Sequence, residues 1–279
     1  MNRSIVTSCC LFLIGASGHC AEVVIVRAPD DLAHVYGDSA SDAPFALWSS
    51  DSMRYQQVYS STTFSSLPPG GGDIRGIILR GDQGARQVWG GKISTIEIEL
   101  SSTTKPVDSL SAVFASNVGA DRTVVFTRGS TITAEVFARF GPEQATTFAI
   151  LFNQPFHYDP SKGNLLLDVR TYAGIDWQYS TDEQKPMLDA ADRPNDGVSR
   201  VFARDVNAGV AETVDSLGLY TVFSLDVVPE PSSVGLLLLG TVSLFVLASR
   251  SRSPGRPTRA SRPDSAPPIT QMPSRNEPR

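Results

Sequence analysis

The side chains able to carry chemistry are few. Three histidines and three cysteines occur in 279 residues. A hydrolytic triad needs a base beside Ser or Cys, and only His34 and His157 lie beyond the N-terminal leader described below. His157 sits between Phe156 and Tyr158 in a strand-like run and reads as a structural residue. No G-x-S-x-G run is present, and no His/Cys pairs stand at zinc-ligand spacing. Gly70-Gly71-Gly72 precedes a strand rather than a helix, so it reads as a turn and not as a phosphate loop. Glu97 and Glu99, two apart, share a strand face. Paired carboxylates perform glycoside cleavage, but on an outward face they are expected to be solvating charge. Calcium is the cofactor these residues come nearest to holding. Asp189, Asp192, Asn195 and Asp196 could offer oxygens from a loop, as could Asp159 with Asp168, but neither set has EF-hand spacing. The expectation is no cofactor and no enzyme, with Leu188–Gly197 an exposed, turn-rich loop.

The elements that position these residues read as short strands. They are Val23–Val26, Arg54–Tyr59, Ile74–Leu79, Ile93–Leu100, Val124–Phe126, Ile132–Phe140, Thr147–Phe152, Asn164–Val169, Val201–Ala203 and Leu219–Val227. In Ile93–Leu100 the alternation is clean: Ile96, Ile98 and Leu100 face one way, and Glu97 and Glu99 the other. Asp159-Pro160 opens a turn in which Gly163 supplies a positive φ, and Leu165–Leu167 enters a strand buried on both faces. No 3.6-residue apolar period extends over 12 residues before position 228. The predicted fold is all-β: one sandwich or jelly-roll-like domain. Such sandwiches can bind sugars on aromatic platforms. Trp48, Trp89, Trp177 and Tyr179 are the candidates, and Trp177 and Tyr179 would share a strand face.

Both ends read as addresses. Met1-Asn2-Arg3, the apolar run Ile5–Ala16 and the small residues after it form a secretory signal peptide, cleaved near Ala16-Ser17-Gly18 or after Ala21. Cys9 and Cys10 leave with it, and Cys20 leaves too if cleavage follows Ala21. His19 is too bulky a neighbour for lipoprotein processing at Cys20. The mature domain must then hold its fold without a disulfide. At the other end, Pro229-Glu230-Pro231 precedes an uncharged Leu/Gly-rich run, followed by Arg250 and Arg252. In hydrocarbon such a run must become a helix. Residues 232–249 would span about 27 Å at 1.5 Å per residue, at the short end of a membrane-crossing helix. The arginines would stay on the cytoplasmic side. Pro229 and Pro231 stiffen the approach. The tail 253–279, rich in Pro, Ser and Arg, reads as disordered.

Motif, helix, basic flank and terminal position together resemble the PEP-CTERM sorting domain of bacterial exported proteins. The resemblance implies recognition of Pro229, Glu230 and Pro231 by exosortase, a membrane cysteine transpeptidase-like enzyme, and removal of the helix during processing. In that family the chain usually stops soon after the arginines, whereas here it continues to Arg279. Three stretches, Arg54–Tyr59, Pro155–Pro160 and Gly163–Asp168, are similar to segments of other β-rich PEP-CTERM ectodomains, which implies a fold type and a destination only.

The expected organisation is therefore a signal peptide over 1–21, a β-ectodomain over 22–228, a sorting segment over 229–252 and a tail over 253–279. Residues 22–231 hold 16 basic and 27 acidic side chains, a net of −11, while 250–279 holds 7 Arg against 2 acids, a net of +5. An acidic exported domain argues against nucleic-acid partners. The expected function is that of a non-catalytic cell-surface or matrix protein, anchored in the inner membrane as a precursor. The alternative is a carbohydrate-binding module or adhesin with extracellular polysaccharide as its partner. A polysaccharide hydrolase ranks third.

Overall fold

The structure is a computed structural model that describes residues 22–45, 52–82, 90–93, 95–130, 132–133, 147–173, 176–178 and 187–227. It is all-β and antiparallel throughout. A four-stranded sheet runs in the order β1 (Glu22–Ala28), β16 (Thr221–Val227), β4 (Gly72–Arg80), β9 (Thr147–Tyr158). A six-stranded sheet runs β14 (Thr213–Asp215), β13 (Val198–Ala203), β3 (Met53–Tyr59), β10 (Asn164–Thr171), β6 (Ile96–Thr103), β7 (Thr123–Phe126). Two smaller sheets complete the set. One is β15 (Leu217–Leu219), β12 (Leu188–Asp192), β2 (Ser39–Ser41); the other is β11 (Asp176–Gln178), β5 (Gly90–Ile93), β8 (Ile132–Thr133).

The two large sheets face each other across one apolar core, giving a sandwich-like arrangement. Ile96, Ile98 and Leu100 point into it from β6, as their alternation predicts, and meet Ile74, Ile77, Phe223 and Leu225 from the opposite sheet. Tyr59 of β3 crosses between the sheets. Its ring meets Phe223 edge-on at 4.8 Å, and its hydroxyl lies 2.9 Å from Thr221 Oγ1. Phe64 wedges between Tyr158 and Phe223, 4.8 and 5.3 Å from their ring centres. Such tilted aromatic contacts are worth about 0.5–1.5 kcal/mol each beyond area burial. Gln57, wholly buried on the same strand, is satisfied by the backbone of Leu219: its Nε2 donates to the carbonyl at 3.1 Å and its Oε1 accepts from the amide at 2.8 Å. That amide clamp fastens β15 to the large sheet, and each of its polar atoms would be costly if left unpaired.

Two sequence expectations are corrected. Leu188–Asp192 is not part of an exposed loop. It is β12, paired on both sides by β15 and β2, with Leu188, Asp189, Ala190 and Ala191 buried; only 193–197 turns in the open. Its small residues and two aspartates lack the β-branched signature, so tertiary pairing overrides propensity. Ile93–Leu100 is likewise not one strand, since β5 ends at Ile93 and β6 starts at Ile96. The turn reading of 159–163 is borne out: Asp159 accepts from the Ser161 amide, and Gly163 adopts φ 137° with Thr103 O where a Cβ would sit. β10 is central and buried on both faces, as Leu165–Leu167 predicts.

Candidate functional site

The outward face of the six-stranded sheet carries the chain's densest set of ionisable groups. Register places Val201, Gln56, Asp168 and Glu99 in one cross-strand row and Ala203, Arg54, Arg170 and Glu97 in the next. The long connection from β6 to β7 folds over this face. Phe114 and Leu110 from it pack on Val58, Leu166 and Val201. Under that cover Arg54 Nη2 donates to Asp168 Oδ2 at 2.9 Å, with its guanidinium 4.6 Å from the centre of the Phe114 ring. Gln56 Nε2 donates to the same oxygen at 2.7 Å, and Asn117 Nδ2 donates to Gln56 Oε1 at 2.9 Å.

The expectation that Glu97 and Glu99 form an outward wet pair is corrected for Glu99, which is 3% exposed. Burial lifts its pKa, opposed by Arg170 at 3.5 Å and Arg122 at 3.6 Å. Glu97 is half-buried and pairs with Arg170 at 3.2 Å. A water-bearing cleft between two carboxylates is what glycoside cleavage requires. Here Glu99 is buried and both carboxylates are ion-paired to arginines.

The loop aspartates are each engaged separately. Asp189 is wholly buried on β12; its Oδ2 accepts from Arg80 Nε at 2.6 Å and its Oδ1 accepts from the Gly37 amide at 2.8 Å. Burial raises its pKa against the pull of Arg80. Gly37 is required there, since a Cβ would lie 1.8 Å from the Ala190 carbonyl. Asp192 accepts from the Ser216 hydroxyl at 2.9 Å. Asp196 Oδ1 accepts from the Val198 amide at 3.1 Å, and burial pushes its pKa to about 6. Asp159 is held below the usual carboxylate range by the Ser161 hydroxyl and amide. Asp168 is taken up by Arg54 and Gln56. Among the described residues no group of three or more His, Cys, Asp or Glu is placed to hold a metal ion.

The opposite outward face, on the four-stranded sheet, has a different character. Its rows read Arg27–Val222–Ile78–Ala149, Ile25–Ser224–Gly76–Leu151 and Val23–Asp226–Asp73–His157. Ile25 is 44% and Leu151 78% exposed. At the Arg27 end of this face a cavity of about 250 Å³ opens beneath the 3₁₀ turn Asp30–Ala33, lined by Ile25, Arg27, His34, Ile78, Tyr220 and Val222 among others. Arg80 forms part of its wall. The Arg80 guanidinium stacks 3.8 Å from the centre of the Tyr220 ring, donates to the Val35 carbonyl at 2.7 Å and neutralises Asp189. Sequence reasoning missed this site because Arg80 and Asp189 are 109 positions apart in strands with no shared motif. His34, the cavity-lining residue weighed from sequence as a possible catalytic base, sits at the cavity rim.

Other predicted residues are placed as follows. His157 is exposed on β9, its Nδ1 2.8 Å from Asp73 Oδ1. Trp177 lies on β11 opposite Gly91. Tyr179, Trp48 and Trp89 lie outside the described residues, as do the signal segment 1–21, Pro229, Glu230, Pro231, the 232–249 helix, Arg250, Arg252 and the tail. Among the described residues no helix is long and apolar enough to cross a membrane. No family model, curated protein or solved structure matches the chain.

Proposed function

We propose that this chain is an exported, non-catalytic cell-surface or matrix protein: a jelly-roll-like β-domain delivered by a signal peptide and a C-terminal Pro-Glu-Pro cassette. Its partner in maturation is an exosortase-type membrane enzyme that reads Pro229, Glu230 and Pro231 and removes the single transmembrane helix behind them. The observation that carries this reading is the pairing of Glu22 with Val227 at one end of the sandwich. The first strand begins one residue after Ala21, and the last strand ends two residues before Pro229. Both proposed processing points therefore flank the same sheet end, and cutting at either removes no residue of the described strands. Cleavage there would leave the sheets and their core intact, as a detachable address requires.

The catalytic alternatives have little to stand on, because the carboxylates that could serve as acid and base are covered and ion-paired. The sorting reading is tested in cells. Glu230→Ala and Pro231→Ala are each expected to leave the full-length precursor in the inner membrane, detected by immunoblot of fractionated cells. Normal maturation of both variants would mean the motif is not read.

A further inference from the structure

We propose that the cavity beside β1 binds a small amphipathic carboxylate, with its apolar body on the sheet face and its charge held by Arg27. The floor is aliphatic and aromatic: Ile25, Ile78, Val222 and the ring of Tyr220. Tyr220 does not swing, because its ring is stacked on Arg80, and Arg80 is fixed by Asp189 and the Val35 carbonyl. A rigid apolar floor suits a hydrocarbon body and offers a sugar ring few polar partners.

The rim is cationic. Arg27 is exposed at the cavity and forms no ion pair among the described residues, while Arg80 has already spent its charge on Asp189. His34 stands on the same rim and supplies ring nitrogens for a second hydrogen bond. The Arg27 guanidinium hydrogen-bonds the Tyr220 hydroxyl but is in no ion pair among the described residues, and its planar fork is matched to a carboxylate. In a domain of net charge −11 over 22–231, a cation outside any described ion pair beside an apolar pocket is a local reversal of the overall field. At about 250 Å³ the space falls below that of drug-sized sites, which begin near ~300 Å³. It suits a body the size of one phenyl ring and a short chain.

The test is calorimetric titration of the full chain in lipid nanodiscs with 3-phenylpropionate, 3-phenylpropanol and acetate, with empty nanodiscs as the reference. The expected result is saturable binding of 3-phenylpropionate with Kd at or below about 1 mM. Arg27→Ala should weaken it by about tenfold or more, and the alcohol should bind about tenfold more weakly to the unaltered protein. The alcohol should not distinguish the two proteins. Arg27 is exposed, so its replacement leaves the fold intact, and an unchanged thermal unfolding curve checks this. Equal affinity of wild type and Arg27→Ala for 3-phenylpropionate would overturn the assignment of Arg27. Acetate binding as tightly as 3-phenylpropionate would overturn the role of the apolar floor. Absence of saturable binding up to about 10 mM would overturn the site itself.

Discussion

The two outward faces of the sandwich are finished in opposite ways. On the six-stranded sheet the face is polar in sequence yet covered: Phe114 lies over Arg54 and Gln56, Asp168 is buried beside them, and Arg122 and Arg170 flank the buried Glu99. On the four-stranded sheet the face is open, with Leu151 and Ile25 in solvent beside the ionisable row of Asp226, Asp73 and His157. A rule that places charge outside and hydrocarbon inside fails on both. Ionic groups can be buried when their partners are buried with them, and losing one partner is then strongly destabilising. Exposed apolar side chains beside a cavity mark a candidate binding surface. The covered face therefore belongs to stability, and the open one is available for recognition.

The contrast can be broken by mutation. The largest effect is expected from Asp168→Ala, which strands the Arg54 guanidinium beneath Phe114. The cost should be about 3–5 kcal/mol in denaturant unfolding. Leu166→Ala, beneath the same cover, should cost about 3 kcal/mol through the cavity it leaves. Glu99→Gln probes the same face by pH. Burial raises the pKa of Glu99 in the fold, so the carboxyl's favourable contribution is complete below its unfolded pKa and is lost as pH rises through the folded one. The variant should therefore gain in melting temperature relative to wild type from acid toward neutral pH. A constant difference across that range would mean the carboxylate is solvated. The smallest effect is expected on the open face: Leu151→Asn should change stability by less than about 0.5 kcal/mol. A loss as large as that of Leu166→Ala would mean this face is covered in solution and the contrast is false.

Which parts of this were readable from the sequence follows from the range of the forces involved. The alternation of Ile96, Ile98 and Leu100 and the Leu165–Leu167 run report local burial, and both point to the core as they should. The Asp159-Pro160 turn with Gly163 is encoded by backbone preference alone. Glu99 reads as solvated because the segment that covers it has no strand or helix period of its own, only a 3₁₀ turn at Phe114–Ser116. β12 reads as loop because Asp189 and Asp192 look like turn residues, and nothing local announces that Arg80 awaits one and Ser216 the other. The cavity at Arg27 depends on register between β1, β16 and β4, which no short motif records.

The described strands run from Glu22 to Val227, and the proposed addresses are the sequences on either side of them. The most direct measurement of that claim is the intact mass of the protein recovered from the cells that make it. The expected mass is that of a chain starting after Gly18 or Ala21 and ending at the Pro229–Pro231 motif, without residues 232–279. A mass corresponding to all 279 residues would contradict it.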